Sequence, residues 1–233
     1  FADFMHNVAE VDSGLRVRFT TSHPQDMSDK LVETIASNDN ICKYVHLPVQ
    51  SGSNRILQMM NRTYTVEHYL ALVEKIRKAM PGASLSTDII SGFPTETLGE
   101  HEATIALMKK VKYDGAYTFK YSPRERTKAW EMIDDVPEDE KGRRVSEITT
   151  IQHEISFELN KKMIGTMERV LIDGESKKSS DEWSARTDTN KVVVFPKSSE
   201  QIGDYVDVVI NRVNSATLFG VRVPASGMME EAA

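Results

Sequence analysis

The chain has 233 residues, of which 39% are hydrophobic and 27% charged, with a formal net charge of −6 and a single cysteine. That length buries a substantial core and usually divides into more than one domain, while no apolar run reaches the length that spans a bilayer. One cysteine excludes an internal disulfide framework and any internal cysteine cluster that ligates zinc or iron-sulfur, and the acidic balance leaves nucleic-acid binding to a local basic patch.

The first residues, Phe1-Ala-Asp-Phe-Met-His6, contain no initiator Met, no basic n-region and no long apolar stretch, and they read as the middle of a helix. We therefore expect a piece of a longer, cytoplasmic protein. Residues 16 to 121 then repeat a strand-then-helix pattern four times. The strands are expected at Arg16 to Thr21, Tyr44 to Val49, Leu85 to Ser91 and Ala116 to Tyr121. Helical spacing links Leu31, Val32 and Ile35, then Val66, Tyr69, Leu70, Val73 and Ile76, then Thr104, Leu107, Met108 and Val111. Such alternation predicts a parallel sheet with covering helices. Thr97 with Glu100 forms a capping-box signature, and Thr65 between Tyr64 and Tyr69 predicts a cap with a hydrophobic staple.

Val136-Pro137 and the acids Glu138, Asp139 and Glu140 predict a helix start, and the stripe Val145, Ile148, Ile151, Ile155 and Leu159 carries the helix to about Met163, with Gly165 as its stop. From Thr166 the pattern changes to five short strands, Met167 to Ile172, Trp183 to Arg186, Val192 to Phe195, Val206 to Ile210 and Thr217 to Val223, which suggests a small OB-like barrel. The tail Ala225 to Ala233 has no packing pattern and is expected to fray.

Two segments carry the chemistry. Tyr44-Val-His-Leu-Pro-Val-Gln-Ser-Gly-Ser53 and Ser86-Thr-Asp-Ile-Ile-Ser-Gly-Phe-Pro-Thr-Glu-Thr97 are apolar runs that break into Gly, Ser and Pro just before a helix, the position where α/β folds place ligand-binding groups. Gln50, Ser51, Gly52 and Ser53 suit sugar hydroxyls or a carboxylate, or form a plain polar turn with Gly for its backbone angles. Asp88 inside a strand requires a partner, either a ligand's ribose hydroxyls or an arginine such as Arg62. Arg62 offers a bidentate fork to a carboxylate or is a solvated surface residue. Glu96 either meets a ligand or is a helix-start charge. His46, flanked by Val45 and Leu47, reads as a satisfied histidine rather than a metal ligand, and Cys42 as a small buried hydrophobe.

Arg124, Arg126 and Lys128 place three cations in the loop after the fourth strand, a candidate phosphate contact or a solvated charge run. Lys177, Lys178, Arg186 and Lys191 cluster in sequence near Trp183, cations beside one stacking surface that suit RNA. Thr166 to Val223 holds eight Lys/Arg against nine Asp/Glu, so any RNA binding there uses one face.

In order and spacing, Arg18-Phe-Thr-Thr-Ser-His-Pro24, His46-Leu-Pro-Val-Gln-Ser-Gly-Ser53, Met60-Asn-Arg-Thr-Tyr64, Thr87-Asp-Ile-Ile-Ser-Gly-Phe-Pro94 and Phe119-Lys-Tyr-Ser-Pro-Arg124 resemble the radical S-adenosylmethionine methylthiotransferases. The last five strands are similar to that family's TRAM domain, and Leu171 to Lys178 with Asn190 to Phe195 resemble its tRNA branch most. The resemblance implies an α/β fold: the C-terminal part of a partial TIM-like (β/α) barrel followed by a small five-stranded antiparallel OB-like β-barrel. Expected bounds are 1–136 for the half-barrel, 137–163 for a connecting helix, 164–224 for the RNA-binding barrel and 225–233 for the tail.

The resemblance further implies methylthiolation at C2 of isopentenyladenosine in tRNA, with S-adenosylmethionine held by Gln50, Ser51, Arg62, Asp88 and Glu96 and RNA contacted by Arg124, Arg126, Lys177, Lys178 and Arg186. It implies two 4Fe-4S clusters ligated by cysteines that this chain lacks, so the chain alone is expected to be inactive. Implied partners are the isopentenylated tRNA and an electron donor such as flavodoxin, with no membrane and a monomeric state. Two departures stand out: Thr95 replaces a usual Gly, and Arg124-Glu-Arg-Thr-Lys-Ala129 replaces a more common Arg-Pro-Gly-Thr-Pro-Ala. Alternatives are a ribosomal-protein aspartate methylthiotransferase, or an RNA-binding module only.

Overall fold

Three of the four strands expected before residue 122 form in the structure, a computed structural model that describes residues 1–20 and 23–223. They are β1 (Tyr44–His46), β2 (Ser84–Ser91) and β3 (Gly115–Lys120), parallel and in that spatial order. Parallel neighbours need a crossover, which helices supply. Helices α1 (Ala2–Ala9) and α2 (Asp29–Ser37) precede the sheet, α3 (Asn54–Met59) and α4 (Val66–Ala79) join β1 to β2, and α5 (Leu98–Val111) joins β2 to β3.

The strand expected at Arg16 to Thr21 does not form among the described residues; Val17 makes a single parallel bridge to Ile41. Only Val17 and Phe19 in that stretch pack on the core, and the arginines that alternate with them cannot be buried on both faces as a parallel strand requires. Thr21 and Ser22, and the tail expected to fray, lie outside the described residues.

Caps define the helix starts. Ser28, Ser53, Thr65 and Thr97 each accept a backbone N–H two or three residues into a helix, and Thr97 with Glu100 completes the expected capping box. Tyr64 and Tyr69 lie 6.4 Å apart across the start of α4, as a hydrophobic staple places them. The core is continuous from Ile35 and Ile41 through Leu47, Leu85 and Ile89 to Met108 and Ile148. Tyr69 and Tyr113 are buried in it and remain satisfied, since Tyr113 donates to the Tyr69 hydroxyl at 2.9 Å and Tyr69 donates to the Leu47 carbonyl at 2.7 Å.

Helix α6 (Glu138–Lys161) runs close to its expected length, and the division between two compact units, Phe1–Ile155 and Ser156–Ala233, falls inside it. Its Ile148, Ile151 and Ile155 pack against the first unit's core. The second unit is a closed barrel of β4 (Met167–Ser176), β5 (Ser179–Arg186), β6 (Val192–Pro196), β7 (Tyr205–Val213) and β8 (Thr217–Arg222), in the order β4-β5-β6-β8-β7. Four pairings are antiparallel and β6 with β8 is parallel. A closed ring with an odd number of strands cannot alternate direction all the way round, so one parallel pair is obligatory. Among the described residues no helix is long and apolar enough to cross a membrane.

Candidate functional site

After β1 the chain stays buried through Leu47 and Val49 and meets β2 once more at Gln50, whose N–H donates to the Asp88 carbonyl at 2.9 Å and whose carbonyl accepts from Ile90 N–H at 3.0 Å. Gln50 has φ of 70°, in the left-handed region that L residues seldom occupy. The bridge to β2 holds it there. Ser51 is fully buried, and its hydroxyl accepts the Ser53 amide at 3.2 Å. Gly52 has no positive φ; it is small because α5 passes directly over it, and its N–H donates to Thr104 Oγ1 at 2.9 Å. The alternative reading, a turn glycine needed for its backbone angles, is thus corrected to a glycine needed for close approach.

One face of the sheet presents Tyr44, His46, Ser86, Asp88, Tyr117 and Phe119, because side chains two apart share a face and the register sets Asp88 beside Tyr117 and Ile90 beside Phe119. Tyr117 and Phe119 are 59% and 51% exposed there. His46 links this face: Nδ1 lies 2.8 Å from Ser86 Oγ, Nε2 lies 3.4 Å from Asp88 Oδ1, and the Tyr117 ring meets it edge-on at 5.9 Å. Tyr44 OH shares Ser86 Oγ at 2.6 Å. The partner of Asp88 in the chain is therefore His46 and not Arg62. Arg62 keeps a buried Nε with no hydrogen-bond partner among the described residues. Sequence reading missed the Tyr44-Ser86-His46-Asp88 chain, although the i, i+2 spacing of Tyr44 with His46 and of Ser86 with Asp88 marks two polar pairs on one face of adjacent strands.

At the end of β2, Gly92 adopts φ of 74° and the aliphatic stem of Lys141 fills the space a side chain would take. Glu96 closes the turn: it is enclosed, with Oε2 accepting Gly92 N–H at 2.7 Å and Arg144 Nη1 at 2.9 Å. Ser51 and Glu96, both expected to touch the cofactor, are turned inward and hold the segments that Gln50 and Asp88 occupy. Gln50, Asp88 and Arg62 retain groups that are not consumed by the fold.

In the loop after β3, Arg124 and Arg126 are exposed. In the barrel the expected basic cluster is divided. Lys177 and Lys178 are exposed at the β4–β5 turn, while Arg186 lies at the far end of β5, a strand roughly 23 Å long at the usual rise. Arg186 Nε donates to Asp173 at 3.0 Å, and Lys191 Nζ to Asn160 at 2.9 Å. Trp183 is not the open stacking surface expected: it packs on the barrel core and Lys197 Nζ sits 4.4 Å above its ring. Two other rings carry cations outward, Phe219 under Arg212 at 3.7 Å and Tyr205 under Arg169 at 5.0 Å.

Comparison with known families matches residues 2–108 to the radical SAM superfamily and residues 161–223 to the TRAM domain. Residues 2–108 thus carry a radical SAM segment and residues 161–223 a TRAM domain. It is 50% identical over 221 residues to a tRNA-2-methylthio-N(6)-dimethylallyladenosine synthase of Chloroherpeton thalassium and 48% identical over 224 residues to one of Bacteroides thetaiotaomicron, matches that take in 94% and 96% of this chain and 49% of each relative. The chain thus spans about half the length of these relatives. Among solved structures, the radical SAM enzyme coproporphyrinogen III oxidase of Escherichia coli aligns with a TM-score of 0.55 at 12% identity, covering 81% of this chain and 51% of the oxidase, a likeness of fold.

The radical SAM family implies S-adenosylmethionine and an iron-sulfur cluster, and this chain fits the two differently. The orphaned Arg62 Nε and the 29% exposed Asp88 carboxylate are donor and acceptor groups that S-adenosylmethionine's carboxylate and ribose can complement. For a cluster the residues do not fit. The lone Cys42 is 1% exposed, and the described residues contain no group of three His, Cys, Asp or Glu placed to hold a metal.

Thr95, where the resemblance leads to Gly, has φ of 66°. That conformation costs an L residue about 1–2 kcal/mol, which explains why glycine suits the position. Here the strain is opposed by hydrogen bonds from Arg55 to the Thr95 carbonyl at 2.7 Å and hydroxyl at 2.9 Å. Arg55 also holds the Glu100 carboxylate down at a pKa of about 2, with the Thr97 amide and Ser53 hydroxyl adding to the effect and burial opposing it. A carboxylate whose folded pKa lies below its ordinary 4.5 stabilises the fold above that value and loses the contribution as pH falls toward 2. Acid titration of wild type and Glu100→Gln, followed by circular dichroism, should show a stability difference of about 1–2 kcal/mol at pH 6, reduced from the full linkage value because Arg55 is half exposed, and shrinking between pH 4.5 and 2. A difference independent of pH would refute the assignment.

Proposed function

We propose that this chain supplies the S-adenosylmethionine-facing sheet end and the RNA-binding barrel of an enzyme that methylthiolates C2 of isopentenyladenosine in tRNA. The reading is supported by three groups whose polar atoms the fold leaves available: Gln50, whose backbone pairs with β2 beside Asp88; the Asp88 carboxylate, 29% exposed; and Arg62, whose buried Nε has no hydrogen-bond partner among the described residues. S-adenosylmethionine, when bound, supplies the methyl group and the radical that removes hydrogen from the base. The chain's own part is to bind and orient. Asp88, steadied by His46, accepts ribose hydroxyls; Arg62 pairs with the amino-acid carboxylate; Tyr117 and Phe119 offer flat surfaces beside them. The names of the relatives support tRNA as substrate. In the barrel and the loop after β3, Lys177, Lys178, Arg124 and Arg126 are the exposed cations for its phosphates, with Arg186 a weaker contributor because Asp173 engages it. The proposal includes cluster ligands outside this chain, a reductant of the flavodoxin kind, a monomeric enzyme and a cytoplasmic site of action.

Equilibrium dialysis with S-adenosylmethionine on the intact protein tests the site. Asp88→Asn removes a charge-assisted acceptor worth about 1.5–3 kcal/mol, so affinity should fall roughly tenfold to hundredfold. Unchanged affinity in Asp88→Asn and in Arg62→Met would rule the assignment out. Methylthioadenosine in tRNA of a deletion strain complemented by the full gene, lost in the Asp88→Asn strain, tests the substrate.

A further inference from the structure

The segments Gln50–Ser53 and Gly92–Thr97 are joined by a guanidinium that the proposed reaction does not use. Arg55, near the start of α3, donates from Nε to Glu100 Oε1 at 2.7 Å and from Nη2 to Glu100 Oε2 at 2.6 Å, a bidentate fork onto α5. The same group reaches the carbonyl and hydroxyl of Thr95. Glu100 in turn accepts the Ser53 hydroxyl at 2.9 Å and the Thr97 amide at 2.9 Å, and Asp135 accepts the Thr95 amide at 2.6 Å. One arginine thus ties the helix that follows Gln50 to the turn that follows Asp88.

Stability alone does not account for this arrangement: the Arg55 side chain is 47% exposed, and the stabilisation expected from its pair with Glu100 does not require the further hydrogen bonds to the Thr95 carbonyl and hydroxyl. Geometry does. Gln50 and Thr95 are both non-glycine residues at positive φ, one in each segment, and conformations of this kind persist only where the surroundings over-determine them. Gln50 is fixed by its bridge to β2. Thr95 is gripped at its amide by Asp135 and at its other polar atoms by Arg55.

We propose that Arg55 is a positioning residue: by holding Thr95 in its left-handed conformation and drawing Glu100 onto Ser53, it sets the spacing of the two segments and pre-organises the ligand site between them. The inference rests on the reading of Gln50, Arg62 and Asp88 as that site. Binding sites of this precision depend on the groups that lock the contacting residues.

The test compares Arg55→Met, Arg55→Lys and the double variant Arg55→Met with Thr95→Gly in the intact protein. Arg55→Met should weaken S-adenosylmethionine binding about tenfold and raise hydrogen exchange at the amides of 50–53 and 92–97 in the ligand-free protein, with β2 core amides unchanged. Arg55→Lys, which keeps the charge and loses the fork, should not restore affinity. The double variant should recover most of it, because glycine adopts the turn unaided. If Asp88→Asn loses binding while Arg55→Met retains it with unaltered exchange, the positioning role is wrong and the site stands. Should Asp88→Asn bind like wild type, the site reading and this inference fall together.

Discussion

Arg144→Met should destabilise the first unit by about 3–5 kcal/mol, the usual cost of removing one partner of an enclosed ion pair. Arg144 and Glu96 have side chains only 6% and 2% exposed and meet at 2.9 Å; Arg144 also donates to the Glu96 carbonyl at 3.0 Å and to Glu140 at 2.7 Å. Methionine fills much of the volume and offers no donor, so Glu96 is left with the Gly92 amide as its remaining partner in this group. Urea unfolding followed at 222 nm, where the helices of the first unit dominate, measures the loss. Adding Glu96→Gln to Arg144→Met should recover part of it, because the uncompensated charge is gone, and the cycle should show coupling above about 1 kcal/mol. A cost below about 1 kcal/mol for Arg144→Met, or strict additivity, would mean that the pair contributes packing alone. The Gly92 turn should loosen with the pair, so the same variant should weaken S-adenosylmethionine binding.

What the sequence disclosed follows from what each signal depends on. The five barrel strands and the caps at Thr65 and Thr97 are local patterns, period-two alternation and a hydroxyl three residues ahead of an acceptor or amide, and each is found where the pattern puts it. The helix expected directly after Ser53 begins there as α3, but its extent was not legible, because six residues are fewer than the window in which a 3.6 period can be recognised. The candidate residues Gln50, Asp88 and Arg62 were legible because a polar side chain at an apolar strand end has few innocent explanations. Their partners were not. That Asp88 meets His46, that Glu96 meets Arg144 48 positions on, and that Lys177 and Arg186 stand at opposite ends of one hairpin are facts of register, which no local pattern encodes. The same holds for Gly52, whose role depends on a helix half a hundred residues away.

Gly52→Ala should be among the most damaging single-methyl changes in the chain. A Cβ built on Gly52 falls 2.5 Å from the Ala103 carbonyl oxygen and 2.5 Å from Thr104 Cα, both backbone atoms of α5, so no side-chain rotation relieves the contact. Overpacking usually costs about 1–3 kcal/mol, and the upper part of that range applies where the obstructing atoms belong to a helix with its own hydrogen bonds to keep. Separation of the loop from α5 also breaks the hydrogen bond that the Gly52 N–H donates to Thr104 Oγ1 and moves Gln50 and Ser51 with it. The variant should therefore lose affinity for S-adenosylmethionine along with stability. Gly99→Ala supplies the control, since Gly99 lies in the first turn of the same helix with nothing within 4 Å of its absent Cβ. It should be stabilising by about 0.4–1 kcal/mol through the lower entropy of the unfolded chain, with ligand affinity unchanged. Equal effects of the two substitutions on unfolding would show that the loss of glycine's chain entropy, rather than the close approach of loop and helix, decides what position 52 requires.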